Sequence, residues 1–314
     1  MLRLLILVLF LGACGGPTIS RNATPTPGGG NPAPSVFGLA YSPFRPGDDP
    51  NLGLYPSIAE VKADLDQLDG KVDTLLFYSS AINTGFNGFV RLAASNSYNF
   101  RIIATAYIND PNASWAPAVN RAEIDGLVDL INSGVPMEFG VVGVEAVLFN
   151  RLTPAQLIAQ MDAVRAKIAG SGVPITTIDT WTIWRDNPAL AANVDIIAVN
   201  IHPYWDGVSI DSAVDHTLAR YKELQALYPN DRIVITETGW PSAGPQRGAA
   251  VPSLANAQKF HAELGPKAAA IGAEVIRFSF ADEAWKTEGG VGSHWGILNE
   301  NRTAKIPYAD DIGK

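Results

Sequence analysis

One cysteine, three methionines and four histidines stand among the 314 residues. A single thiol rules out a disulfide framework within the chain. The four histidines show no metal-type spacing, so no metal site is expected. No Gly-x-Gly-x-x-Gly follows the first apolar run and there is no phosphate loop, so no nucleotide cofactor is expected either. Charge is sparse, at 17% of residues, and the net balance is −8. That acidity, with a pI near 5.0, excludes nucleic acid as a partner, which calls for a basic patch. Long apolar runs are missing too. The most apolar stretch, at residues 4–11, belongs to a run of about ten residues, too short to span a bilayer as a helix.

That stretch carries its own information. Arg3 is followed by the apolar run and then by Leu11-Gly12-Ala13-Cys14. The pattern is that of a secretory signal, and its last four residues look like a bacterial lipobox. The lone cysteine falls where lipidation needs it. The expectation is a signal peptide over 1–13, a lipidated Cys14, and a flexible Gly/Pro-rich linker over 14–35. An ordinary signal peptide with an incidental cysteine is the alternative. Gly15, rather than Asp, follows Cys14, so an inner-membrane retention signal is lacking. The resulting expectation is an exported chain held by a lipid in the membrane of a bacterial cell envelope, at the cell surface or outer membrane.

From residue 36 to 314 the pattern changes. Short β-branched runs alternate with longer amphipathic segments. Strands are expected at 36–41, 74–78, 101–107, 141–145, 175–181, 195–201, 233–238 and 275–280. Helices are expected at 57–68, 153–169, 211–227 and 253–271, with a weaker one near 87–96. Ser57 followed by Glu60 reads as a capping box, and Thr153-Pro154 as a cap with a first-turn proline. Strict alternation over about 280 residues predicts an α/β fold with a parallel sheet, closed as a single (β/α)8 TIM barrel.

Two carboxylates end strands in this scheme. Glu145 closes Val141-Val-Gly-Val-Glu145. Glu237 lies in Ile233-Val-Ile-Thr-Glu-Thr-Gly-Trp-Pro-Ser242, where Gly239, Trp240 and Pro241 break the strand pattern. Catalytic residues of such barrels sit at the carboxyl ends of the strands. A facing pair of carboxylates suggests glycoside hydrolysis, in which one protonates the leaving oxygen and the other attacks carbon or activates water.

The ordered motifs then carry a family resemblance. Gly38-Leu-Ala-Tyr-Ser-Pro-Phe44, Val142-Gly-Val-Glu145, Val199-Asn-Ile-His-Pro-Tyr-Trp205 and Ile235-Thr-Glu-Thr-Gly-Trp-Pro-Ser242 recur in order. Phe278-Ser-Phe-Ala-Asp-Glu-Ala-Trp-Lys286, Glu288 and Gly292-Ser-His-Trp-Gly296 follow. Together they resemble glycoside hydrolase family 17, the β-1,3-glucanases and related transglycosylases. The resemblance implies a retaining double displacement on a β-glucan; the chain is expected to act as a monomer. Glu145 would be the acid/base and Glu237 the nucleophile, with carboxyl groups roughly 5–5.5 Å apart.

Other motif residues receive roles by chemistry. Tyr204 is expected to hold Glu237 through its phenol, unless it is a core tyrosine. His202 is expected to orient neighbours or bind a sugar hydroxyl, a structural histidine being the alternative. Tyr41 and Tyr78 end the first two strands and are expected to line the site. Trp240, Trp285 and Trp295 are candidate sugar platforms, one of them packing inside the mouth. Asp282, Glu283, Lys286 and Glu288 are expected to bind hydroxyls and tune Glu145, or else to form a solvated loop. The family normally places Asn before the acid/base, and this chain has Val144. Val144 supports an alternative function, a weakly active or non-catalytic β-glucan-binding surface lipoprotein.

Overall fold

The computed structural model describes residues 37–306; the expected leader, Cys14 and the linker lie outside them. The strands are β1 (Phe37–Tyr41), β2 (Thr74–Phe77), β3 (Arg101–Ala106), β4 (Phe139–Val144), β5 (Ile175–Thr180), β6 (Ile197–Asn200), β7 (Ile233–Thr238) and β8 (Glu274–Arg277). All pair in parallel and in sequence order, and β8 closes on β1. The fold is a single (β/α)8 barrel.

The helices are α1 (Ile58–Leu68), α2 (Phe86–Ala93), α3 (Ala116–Asn132), α4 (Pro154–Lys167), α5 (Trp181–Asp186), α6 (Pro188–Ala191), α7 (Ile210–Leu227) and α8 (Leu254–Ala269). The caps on α1 and α4 are full capping boxes. Ser57 exchanges bonds with Glu60, and Thr153 does so with Gln156. Two features differ from the sequence expectation. The fifth unit holds two short helices, because Pro188 cannot continue α5. Helix α3 was not anticipated, since its buried face includes Glu123 and Gly126 beside Leu127, Leu130 and Ile131. Gly126 is there for close approach: a Cβ would lie 1.9 Å from the Ser80 carbonyl oxygen.

Strand parity divides the core in two. Ala40, Leu76, Ile103, Phe139, Val141, Ile178, Ala198, Val234 and Ile276 fill the barrel interior. Their strand neighbours Leu39, Tyr41, Leu75, Phe77, Ile235 and Val275 pack outward against the helices. At the amino end of the barrel, Arg232 bridges Glu274 (2.6 Å) and Glu138 (2.5 Å). At the other end three register shifts interrupt the ladders, in β4–β5 between Val141 and Val144, in β6–β7 at Val199/Asn200, and in β7–β8 between Ile235 and Thr238. The extra residues lie in β4 and β7, and such bulges re-aim side chains beside the two carboxylates.

Candidate active site

Glu145 follows the last residue of β4. The irregular end of that strand passes through Gly143 at φ +81°, and Glu145 itself sits at φ +51°. A left-handed non-glycine residue costs on the order of 1–3 kcal/mol and persists only where its surroundings hold it. Here the Glu145 N–H donates to the Ile178 carbonyl at 2.7 Å. The Asn200 amide donates to the carboxylate at 3.1 Å. Burial first, and the charge of Glu237 second, push the Glu145 pKa up to about 7.

Glu237 is 6% exposed near the end of β7. It accepts from the Tyr78 hydroxyl at 2.8 Å and meets His202 Nε2 at 3.2 Å. His202 is wedged edge-on between Phe278 and Trp295, with ring centroids 5.4 and 5.2 Å away. Side chains on two different loops therefore hold opposite oxygens of one carboxylate. Gly239, two residues on, allows β7 to pass β8, because a Cβ there would lie 2.1 Å from the Phe278 carbonyl oxygen.

Several expectations require correction. Tyr41 does not line the site. Ala40 faces the barrel interior, so Tyr41 faces the helix layer, where it is fully buried and bonded to Asp64 of α1 at 3.2 Å. Tyr78 has the inward parity of Leu76 and takes the contact with Glu237 that was assigned to Tyr204. Tyr204 instead donates to the Pro245 carbonyl at 2.9 Å. Trp240 is a core residue, stacked on Phe260 and donating to the Val251 carbonyl. Trp295 is also buried and backs His202, so neither ring is an open platform, whereas Trp285 stays half-buried.

The charges after β8 separate into two groups. Asp282 receives Lys305 at 2.6 Å and the Gly296 N–H at 2.9 Å, which ties down the last described segment. Glu283 is bonded to the Ser42 hydroxyl, paired with Lys286, and accepts from Trp285 at 3.1 Å. The Lys286 ammonium lies 6.0 Å from the Tyr78 ring and 5.3 Å from that of Phe278. Glu288 is exposed on a short turn. The largest influences on Glu145 are burial, Glu237, Asn200, His202 and Asp179, so none of these four loop charges leads its tuning. Val144 completes the top of the interior cluster, against which Tyr78, Tyr107 and Phe278 pack.

Sequence reasoning missed three groups. Asn200 ends β6 two residues before His202, and nothing in its motif marks it as a contact of Glu145. Asp179 of β5 accepts the N–H groups of Thr180 (2.9 Å) and Val147 (3.1 Å), and burial pushes its pKa to about 6. Glu123 of α3 accepts from Ser79 (2.6 Å) and from the N–H groups of Ser80 (2.9 Å) and Tyr107 (3.4 Å), and burial raises it to about 7. Two buried acids thus support the loops that carry Glu145 and Tyr78. Among the described residues no group of three His, Cys, Asp or Glu side chains is placed to hold a metal ion.

Residues 38–296 match the BtgE/BtgC glycoside hydrolase domain. The chain is 30% identical over 275 residues to the "Probable family 17 glucosidase SCW4" of Saccharomyces cerevisiae, covering 85% of this chain and 66% of that one. It is 26% identical over 302 residues to the glucan 1,3-beta-glucosidase of the same yeast, covering 89% and 94%. The fold is shared with a family 17 beta-1,3-glucanosyltransferase of Rhizomucor miehei, with a TM-score of 0.74 at 24% identity over 86% of this chain and 96% of that one. The chain therefore belongs to the BtgE/BtgC glycoside hydrolase domain family, within glycoside hydrolase family 17.

Proposed function

We propose that the barrel is a retaining glycosidase that cleaves or transfers β-1,3-glucan by double displacement. The observation that carries this reading is the unequal treatment of two neighbouring carboxyl groups. Glu237 is held by Tyr78 and His202, whereas Glu145 keeps its proton up to about pH 7. A carboxyl group that stays protonated near neutral pH suits the acid, and one gripped at both oxygens suits the nucleophile. Glu237 attacks the anomeric carbon, the bond to the leaving oxygen breaks, and Glu145 gives that oxygen its proton. Glu145, now ionised, takes a proton from water or from a sugar hydroxyl. That oxygen attacks the same carbon and releases Glu237. Retention requires carboxyl groups roughly 5–5.5 Å apart.

The substrate class rests on the relatives, whose names specify 1,3-β-glucosidase and β-1,3-glucanosyltransferase activity. Incubation with laminari-oligosaccharides followed by mass analysis tests it. Shorter products mean hydrolysis and longer ones transfer. Unchanged oligosaccharide with binding retained would instead support a glucan-binding chain without turnover, the reading that Val144 favours. We further propose that Cys14 is lipidated and tethers the barrel to a cell-envelope membrane. A clickable palmitate analogue should label the wild-type chain in a bacterial host and not the Cys14→Ser variant; equal labelling would refute this.

A further inference from the structure

We propose that Asn200 is the positioning residue of the acid/base, its side-chain amide dictating which oxygen of Glu145 carries the transferable proton. The inference rests on the roles proposed above and deepens them. Asn200 is 1% exposed, so it acts through Glu145 and not on sugar. Its Nδ2 lies 3.1 Å from Glu145 Oε1, and its Oδ1 accepts from the Thr236 hydroxyl at 3.0 Å. Thr236 adjoins Glu237 on β7, so the link spans from one catalytic strand to the other.

The orientation of the amide follows from the reaction cycle. Glu145 must be ionised after the first step, and a flipped amide would then set its oxygen against a carboxylate oxygen. With N–H toward Glu145, one contact serves both states. When Glu145 is neutral, Oε1 is the acceptor and the proton sits on Oε2. When it is ionised, the same N–H stabilises the charge. The other groups facing Glu145 do not supply this. They are Glu237 from β7, His202 after β6, Asp179 on β5, and Tyr78 and Tyr107 after β2 and β3, with Arg151 stacked on Tyr107 at 4.9 Å. The only hydrogen bond among the leading influences on Glu145 is that from Asn200.

The test compares two substrates on the full chain. Laminari-oligosaccharides need a proton on the leaving oxygen, whereas laminaribiosyl fluoride expels fluoride without one. Asn200→Ala should lower kcat/KM on the oligosaccharide by about tenfold or more and leave the fluoride within about threefold. Loss of a donor to the ionised form should also move the alkaline limb of the oligosaccharide pH profile upward. Thr236→Val, which keeps volume but frees the amide, should act in the same direction with smaller size; if Asn200→Ala does not fold, this variant decides. Equal losses on both substrates, or an alkaline limb that stays in place, overturn the proposal. A wild-type chain that turns over neither substrate refutes the glycosidase reading itself.

Discussion

Tyr78→Phe removes one oxygen and leaves the ring in place. That oxygen is 2.8 Å from Glu237 Oε1, and the opposite oxygen keeps His202 at 3.2 Å. The substitution therefore takes one of two anchors from the nucleophile without opening a cavity. A hydrogen bond to a charged group contributes about 1.5–3 kcal/mol. If that holding is needed at the moment of attack, kcat/KM should fall about ten- to a hundredfold, since each ~1.4 kcal/mol is a factor of ten. The assay is steady-state cleavage of laminari-oligosaccharides and of laminaribiosyl fluoride, with melting temperature as the folding control. Both substrates should suffer alike, because nucleophilic attack is common to them. That pattern is the opposite of the one expected for Asn200→Ala. A folded Tyr78→Phe chain with kcat/KM within twofold of wild type would refute the assignment of Tyr78 as the holder of Glu237.

Other outcomes follow from the buried acids and from Val144. Glu123, raised from 4.5 to about 7, keeps its proton in the fold where the unfolded chain has lost it. Stability should therefore fall as pH rises between those two values, with Glu145 (about 7) and Asp179 (about 6) adding the same sign. Melting curves from pH 4.5 to 7.5 should show the decline, and Glu123→Gln should flatten it; a melting temperature that climbs across the window contradicts the burial account. Val144→Asn places an amide beside Glu145 in an otherwise apolar layer. It should raise kcat/KM about tenfold if a donor to the sugar is missing, while costing about 1–3 kcal/mol of stability. Unchanged activity in a folded variant would show that the site needs no such donor.

The barrel and the two carboxylates at its strand ends were legible because both are written in local pattern. Eight β-branched runs between amphipathic segments leave one closed architecture, and Glu237 stands out as a charge inside an apolar strand. The supporting residues were less legible. Tyr41 and Tyr78 look equivalent at the ends of β1 and β2, and only the parity of each strand against the barrel interior separates them. The extra residues in β4 and β7 shift that parity by one residue and leave no signal in composition. Tyr204 and Trp295 belong to an aromatic packing around His202 and Trp205 that becomes visible only when the loops after β6 and β8 meet. Glu123 was hidden because an acid on a helix reads as solvent-facing until Gly126 lets that helix close on Ser80.

The division of labour between the two carboxylates is tested most directly by trapping the covalent intermediate. Reaction with 2-deoxy-2-fluoro-laminaribiosyl fluoride slows release of the glycosyl-enzyme, and peptide mapping by mass then locates the sugar. One label is expected, on the peptide that contains Glu237. A label on Glu145 or Glu283, or none on a chain that cleaves laminari-oligosaccharides, would contradict it.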